Sequence, residues 1–248
     1  MEKGNKELEA KIKDTIRLSE KYAKARFTAF LTEEEQAIID EIPMFGENFC
    51  YFGGYDGAKR KIFGVFPEWE EIDKDKFPIK IINFIKKYPK DLTHRDYLGT
   101  ILSLGIDRNK VGDILVYEDG AYVFLSENIA DTILFGIEKI ANCGIKSKIV
   151  NIDEIEIPKQ EFDDIKCIAA SMRLDAVISG ITKLSRNQAM LLIKGGKVSQ
   201  NHREIEDGSK SVAEGDTISI RGYGRFIVFS VDGRTGSGRL HVHIKKFR

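Results

Sequence analysis

The chain has little of what marks secreted, disulfide-bonded or membrane-spanning proteins. Its 248 residues include 3 cysteines, 5 prolines and 1 tryptophan. Cys50, Cys143 and Cys167 are scattered and form neither a disulfide framework nor a CxxC pair, which suits a reducing compartment. No stretch approaches the ~18 apolar residues of a membrane-spanning helix, and the first residues lack the apolar segment of a secretory signal. These absences predict a cytoplasmic protein with no membrane partner.

The composition that remains is that of a folded protein. Hydrophobic residues make up 42% of the chain and charged residues 31%. This balance excludes disordered, collagenous and repeat proteins. The length allows one large domain or two to three small ones, each with its own core.

The charges are distributed unevenly although they cancel overall. Residues 1–170 carry 25 Lys and Arg against 32 Asp and Glu, a net charge of −7, whereas residues 171–248 carry 14 against 7, a net charge of +7. A basic segment of this kind is typical of a partner of polyanions, the alternative being a chance imbalance of surface charge.

Residues 1–76 are predicted to form an N-terminal region of two helices and a hairpin. Thr32 and Glu35 have the spacing of a capping box, which predicts the start of the second helix. The other predicted elements are a helix over residues 6–26 and strands Asn48–Tyr55 and Lys61–Phe66 around the turn Asp56-Gly57.

Residues 77–168 are predicted to form a domain with the order βαββαβ, which is typical of the ferredoxin-like fold and of RNA-recognition modules. Tyr122 and Phe124 could stack bases or fill the core, and the core is favoured for Phe124. Residues 153–170 are acidic, contain Pro158 and are predicted as a linker. The predicted elements are strand Ile79–Ile85, helix Thr93–Leu104, strands Ile114–Tyr117 and Ala121–Leu125, helix Ser126–Asn142 and strand Ile145–Ile152.

Residues 169–248 begin with a predicted pair of short helices. The first spans Met172–Ser179 and is expected to end at Gly180. Ser185 and Gln188 form the capping box of the second helix, which Gly195-Gly196 terminates. Five cations lie outside the apolar stripe and would repel one another without an anionic partner, and the second helix's N-terminus favours phosphate. These cations are Arg173, Lys183, Arg186, Lys194 and Lys197.

Four strands are predicted to follow, namely Lys197–Ile205, Thr217–Arg221, Arg225–Val231 and Arg239–Lys245. The last strand alternates, which predicts an amphipathic edge with a basic face of Arg239, His241, His243 and Lys245. Two histidines on one strand face could bind a metal. Since the sequence supplies no third ligand nearby, we interpret them as solvated or RNA-facing and predict no metal site.

Several motifs of this segment resemble the S4 RNA-binding domain, named for ribosomal protein S4. They are Arg173-Leu174-Asp175, Ser185-Arg186-x-Gln188-Ala189, Leu192-Ile193-x-x-Gly196-x-Val198 and Gly215-Asp216-x-Ile218. The chain departs from the S4 pattern at Asn201-His202-Arg203, where Asn-Gly is common in the turn. The resemblance implies an α+β protein that ends in an S4 (αL-type) domain.

Further motifs resemble the YlmH family of bacterial S4-domain proteins. They are Phe52-Gly53-Gly54-Tyr55, Lys59-Arg60-Lys61, His94-Arg95-Asp96-Tyr97-Leu98-Gly99, Gly105-Ile106, Gly112-Asp113-Ile114 and Arg221-Gly222-Tyr223-Gly224-Arg225-Phe226. Lys59 departs from the family, which usually has an acidic residue there, so we assign that stretch no role. The resemblance implies binding to rRNA and tRNA on the large ribosomal subunit, to steady tRNA during rescue of obstructed nascent chains.

The predicted site therefore binds RNA and has no catalytic residue, cofactor or small-molecule substrate. Its residues are Arg173, Lys183, Ser185, Arg186, Gln188, Lys194, Lys197, Asn201, His202, Arg203, Arg221 and Arg225. His94-Arg95-Asp96 superficially resembles catalytic loops of pseudouridine synthases and kinases, but its context is wrong for both. Gly222-Tyr223-Gly224 and Gly233–Gly238 precede strands, so neither fits a cofactor or phosphate loop.

The alternative function is that of a protein-interaction adaptor in division or ribosome assembly, which the S4 part only tethers to RNA.

Overall fold

The computed structural model describes residues 2–43, 48–158, 162–236 and 238–247. It is an α+β structure with two compact units, Met1–Pro158 and Lys159–Arg248. The expected boundary at 76/77 lies inside the first unit, and the one expected near 168 lies inside the second.

The first unit begins with α1 (Glu2–Tyr22), β1 (Arg26–Leu31), α2 (Glu33–Ile39), β2 (Asn48–Phe52) and β3 (Lys61–Phe66). The three strands form an antiparallel sheet in the order β1-β3-β2. The capping box of Thr32 and Glu35 is present, which confirms the predicted start of α2. The helix expected over residues 6–26 ends at Tyr22 instead, because Arg26 already pairs with Val65 in the sheet.

The second sheet of this unit contains β4 (Ile79–Lys86), β5 (Val111–Tyr117), β6 (Gly120–Ser126), β7 (Lys139–Ile140) and β8 (Cys143–Val150). All its pairs are antiparallel, in the order β5-β6-β4-β8-β7. α3 (His94–Leu102) and α4 (Glu127–Gly136) lie between strands in sequence. The helix expected to reach Asn142 ends at Gly136, since Ala141 and Asn142 form a turn with positive φ between β7 and β8.

The core of the first unit joins its two sheets. Phe30 and Phe66 from the first sheet pack in one cluster with Ile81 and Phe124 from the second. Phe124 is fully buried, so its assignment to the core is confirmed. Tyr122 is half-buried and stacks on Tyr117 with 4.8 Å between ring centroids.

The second unit is one sheet with two helices on a single face. Its elements are β9 (Phe162–Ala169), α5 (Leu174–Thr182), α6 (Arg186–Lys194), β10 (Val198–Gln200), β11 (Arg203–Glu204), β12 (Thr217–Ile220), β13 (Gly224–Arg234) and β14 (Leu240–Phe247). The sheet order is β11-β10-β12-β13-β14-β9. The core contains Val177 and Ile193 from the helices, packed with Ile218, Val228 and Val242 from the strands.

Two expectations for this unit are wrong. The expected linker contains β9, which pairs with β14 along its whole length, so β14 is an inner strand and not an edge. Gly180 lies inside α5 and does not end it. A Cβ at this position would come within 3.1 Å of Cys167 Sγ, so glycine lets the helix approach β9 closely.

Within the described ranges, no helix combines the length and apolar character that crossing a membrane requires.

Candidate nucleic-acid interface

The helical hairpin α5–α6 has a well-defined start to its second helix. Ser185 Oγ accepts a hydrogen bond from the Gln188 backbone N–H at 3.3 Å, and Gln188 Oε1 accepts one from the Ser185 backbone N–H at 3.0 Å. This confirms the predicted capping box. The two side chains therefore pair with backbone N–H groups at the start of α6. The backbone of the adjacent Arg186 is held in place as a result.

Asp175 organises the basic surface of the hairpin. Its side chain is only 6% exposed, while those of Arg173 and Arg186 are 45% and 51% exposed. Arg173 Nε lies 3.3 Å from Oδ1, and Arg186 Nη2 donates to Oδ2 at 2.7 Å. One buried carboxylate thus holds two half-exposed guanidiniums side by side.

The charge of Asp175 is maintained by its two partners. Burial alone would raise its pKa, but hydrogen bonds from Arg173 and Arg186 and their positive charges outweigh burial and hold the pKa below its usual value. A guanidinium braced in this way loses less freedom when it binds a phosphate. Sequence analysis missed this role, although an acidic residue two positions after Arg173 at a helix start was its signal.

Two further predicted cations stand at the ends of the hairpin helices. Lys183 caps α5 with a left-handed backbone, φ 61°, and its side chain is exposed. Lys194 is the exposed last residue of α6. The hairpin therefore carries Arg173, Lys183, Arg186 and Lys194 as accessible cations.

The turn that departs from the S4 pattern joins β10 to β11. Asn201 and His202 have φ values of 50° and 67°, and Gln200 pairs with Arg203 across the turn. Both central residues have positive φ, as in a type I′ hairpin turn. Asn201 donates to Asp216 Oδ1 at 2.7 Å and accepts from the Thr217 N–H at 2.9 Å. Its amide thus fastens the turn to β12.

The remaining predicted residues belong to the sheet. Val198 and Ile220 are buried toward the helices, so strand alternation places Lys197 and Arg221 on the opposite face. Arg225 pairs with Ser219 between these buried positions, and its Nη2 lies 3.3 Å from His202 Nε2. Arg203 is exposed in β11. The predicted site residues therefore fall into a hairpin group and a sheet group.

The YlmH-like motifs of the first unit converge on Asp113. This carboxylate, 8% exposed, accepts hydrogen bonds from Tyr55 Oη at 2.8 Å, the Lys59 N–H at 2.7 Å and the Arg60 N–H at 3.1 Å. The Tyr55–Arg60 loop is therefore anchored to β5. Sequence analysis assigned the stretch around Lys59 no role because Lys59 departs from the family pattern, and the anchor was missed because Asp113 is distant in sequence.

Positive charge accumulates beside this anchor. The guanidiniums of Arg60 and Arg108 both donate to the Val111 carbonyl. Burial, together with the nearby charge of Arg60, lowers the pKa of Arg108 to about 10. Burial and the charge of Arg108 also lower the pKa of His94. The motifs thus assemble a basic cluster as well as a structural anchor.

Comparisons with known proteins find relatives of this chain. Residues 73–154 match a family model described as a putative RNA-binding domain in YlmH. The chain is 28% identical over 233 residues to the ribosome-associated protein quality control protein P2 of Bacillus subtilis (strain 168), covering 93% of this chain and 90% of that protein.

A solved structure shares the fold. The cell division protein ylmH from Streptococcus pneumoniae aligns with a TM-score of 0.54 at 17% identity, over 62% of this chain and 95% of that one. The comparisons confirm the resemblance to the YlmH family that the sequence motifs indicate.

Proposed function

We propose that this protein binds structured RNA through an S4 (αL-type) domain formed by its second unit. The Asp175-braced pair of Arg173 and Arg186 is the observation that carries the proposal. The RNA is rRNA and tRNA on the large ribosomal subunit, in the cytoplasm. The task is ribosome-associated quality control, in which the protein steadies tRNA during rescue of obstructed nascent chains. The name of the Bacillus subtilis relative, a ribosome-associated quality control protein, supports this role.

The proposed mechanism is electrostatic and geometric. In A-form RNA the deep major groove excludes side chains, so a protein reads phosphates and 2′-hydroxyls. Two adjacent guanidiniums suit successive phosphate oxygens, because each presents a planar fork of donors. Lys183 and Lys194 extend the contact along the backbone as point charges.

The first unit is proposed to contribute a second RNA-binding surface on a ferredoxin-like domain. Its strand order β5-β6-β4-β8 and its antiparallel pairing support that fold. Its family match supports the role in RNA binding.

The test of the hairpin is a salt series of RNA binding with Arg173→Ala and Arg186→Ala. Each variant should bind a structured RNA more weakly and reduce the slope of log affinity against log salt by about 1. Arg17→Ala is the matched control, since Arg17 is an exposed arginine paired with Asp14 on α1. Unchanged affinity and slope in the Arg173→Ala, Arg186→Ala double variant would contradict the proposal.

Co-sedimentation with purified ribosomal subunits tests the partner. We expect binding to large subunits, strengthened by peptidyl-tRNA and lost in the double variant. Equal binding to small subunits, or to neither subunit, would overturn the assignment of the partner while leaving RNA binding open to the salt series.

The adaptor function is the second candidate, and the net charge of −7 over residues 1–170 favours it. Under this alternative a fragment of residues 1–158 should still join the ribosome. Under the proposed function that fragment should lose most of its affinity, because it lacks the hairpin.

A further inference from the structure

The outward face of the second unit's sheet carries a regular array of aromatic and basic side chains. Four pairs of facing residues connect β9 and β14, namely Phe162 with Phe247, Asp164 with Lys245, Lys166 with His243, and Ile168 with His241. The residues between them, such as Cys167, Val242 and Ile244, are buried toward the helices. Strand alternation therefore places these four pairs on the face away from α5 and α6.

Phe229 of β13 adds an aromatic ring to this face, beside a β-bulge. The register between β13 and β14 shifts between Val228 and Ser230, so Phe229 is the inserted residue. Its side chain is 54% exposed. A bulge re-aims a side chain and is common beside functional sites. Phe226 and Val228 are buried toward the helices, so alternation along β13 places the Phe229 ring on the outward face, and the bulge lies at this same point of the strand.

Cations accompany the rings of this face. Lys245 Nζ lies 3.7 Å from the centroid of Phe229, and Arg225 Cζ lies 4.8 Å from the centroid of Phe247. The rings of Phe162 and Phe247 are 5.0 Å apart. A ring and a guanidinium plane are both surfaces on which unpaired bases stack, and the adjacent ammonium groups suit phosphates.

We propose that this face, defined by Phe162, Lys166, Arg225, Phe229, Lys245 and Phe247, binds a single-stranded segment of RNA. One base stacks on Phe229 and another on the Arg225–Phe247 pair. Lys245 and Lys166 neutralise the phosphates between them. The helices α5 and α6 contain no aromatic residue, so the hairpin is suited to phosphates alone. The sheet adds the means to hold unstacked bases.

The charge balance favours RNA over an apolar protein surface. An apolar protein surface would have to desolvate the charges of Lys166, Arg225 and Lys245, which costs free energy. Asp164 and Asp232 are acidic groups near these cations. An acidic peptide could pair with the cations but would make no use of the exposed Phe229 ring. A strand of bases and phosphates uses both.

Fluorescence at position 229 tests the proposal. In a Trp69→Phe background, Phe229→Trp leaves one tryptophan on the proposed face, and a 12-nucleotide oligouridine should quench it on binding. Phe229→Trp should retain oligouridine affinity, whereas Phe229→Ala and Phe229→Leu should each weaken it about tenfold, because only an aromatic ring stacks. Leu191→Ala is the control, since Leu191 is a 71% exposed apolar residue of the same unit.

The result that would overturn the inference is unchanged oligouridine affinity in Phe229→Ala. Full affinity in Phe229→Leu would also overturn it, since apolar contact would then suffice. Equal affinity for an oligoglutamate peptide would assign the face to acidic proteins. A base-paired RNA stem-loop separates this inference from the proposed function. Arg186→Ala should weaken binding of the stem-loop, while quenching of the tryptophan at position 229 by oligouridine persists.

Discussion

Among single residues, a substitution at Asp175 distinguishes two explanations of RNA affinity, namely total charge and the positioning of the arginines. Asp175→Asn removes a negative charge from the hairpin, so Coulomb attraction alone predicts tighter RNA binding. Bracing predicts weaker binding, because an amide holds Arg173 and Arg186 less firmly than a carboxylate does. We expect several-fold weaker RNA binding and a free energy of unfolding lower by about 2 kcal/mol, measured by urea denaturation.

Asp207→Asn is the control for this comparison. Asp207 is an exposed carboxylate of the same unit, hydrogen-bonded to Ser209 and not to a guanidinium. Its substitution removes an equal charge near Arg173 but takes no hydrogen bond from either arginine. Equal effects of the two variants on RNA affinity would refute the bracing role of Asp175.

His202 stores strain in the turn between β10 and β11. Its φ of 67° is unfavourable for a residue with a Cβ, whereas glycine adopts it freely. His202→Gly should raise the free energy of unfolding by about 1 kcal/mol in urea denaturation. Asn201→Gly should lower it, because the bonds to Asp216 and Thr217 are lost. A less stable His202→Gly variant would show that the contact with Arg225 outweighs the strain.

The elements with a clear local sequence signal were predicted, and two strands without one were not. The capping boxes at Thr32 and Ser185 depend on residues three positions apart, so the starts of α2 and α6 could be identified. β1 and β9 were missed because Arg26 pairs with Val65 and Phe162 pairs with Phe247. Such pairings depend on the assembled sheet.

The same limit applies to the candidate site. The cations could be identified by residue type and spacing, but their division between two faces depends on the order β10-β12-β13. The anchoring roles of Asp175 and Asp113 depend on which donors surround each carboxylate. Phe229 faces outward by the alternation of β13, but its neighbour Lys245 comes from β14, so this contact depends on the assembled sheet.

In the second sheet of the first unit, β4 and β6 approach each other closely at Gly120. A Cβ added there would lie 1.9 Å from the Phe84 carbonyl oxygen in β4. Gly120→Ala should therefore separate β4 from β6 and lower the free energy of unfolding by about 3 kcal/mol. Gly99→Ala is the control with the opposite sign. It lies inside α3 with nothing within 4 Å, and alanine should stabilise the helix by about 0.5–1 kcal/mol.

On the scale of the whole molecule, the two parts have opposite net charges and also differ in which ionisable groups have shifted pKa values. In the first unit, burial and neighbouring arginine charge disfavour protonated His94. In the second unit, the pKa values of Asp175 and Asp216 are lowered because hydrogen bonds and nearby cations outweigh their burial. Each unit should therefore respond to acid in its own pH window.

The signs follow from linkage between protonation and folding. His94 has a folded pKa below its ordinary 6.5, so its contribution is complete above pH 6.5 and is lost as the pH falls through the lowered value. Asp175 and Asp216 have folded pKa values below 3.8, so their contribution is complete above pH 3.8 and is lost only in stronger acid. On acidification from pH 7, His94 should weaken the first unit before these aspartates weaken the second.

Amide hydrogen exchange, followed for each unit between pH 7 and pH 3 and corrected for the intrinsic rate, measures this difference. His94→Gln should abolish the loss of protection in the first unit near pH 6 and leave the second unit unchanged. Asp216→Asn should do the reverse, lowering protection in the second unit at neutral pH and flattening its response below pH 4. If His94→Gln leaves the first unit's response near pH 6 unchanged, another group controls that response. Protonation of His94 beside its cationic neighbours would then not lower the free energy of unfolding.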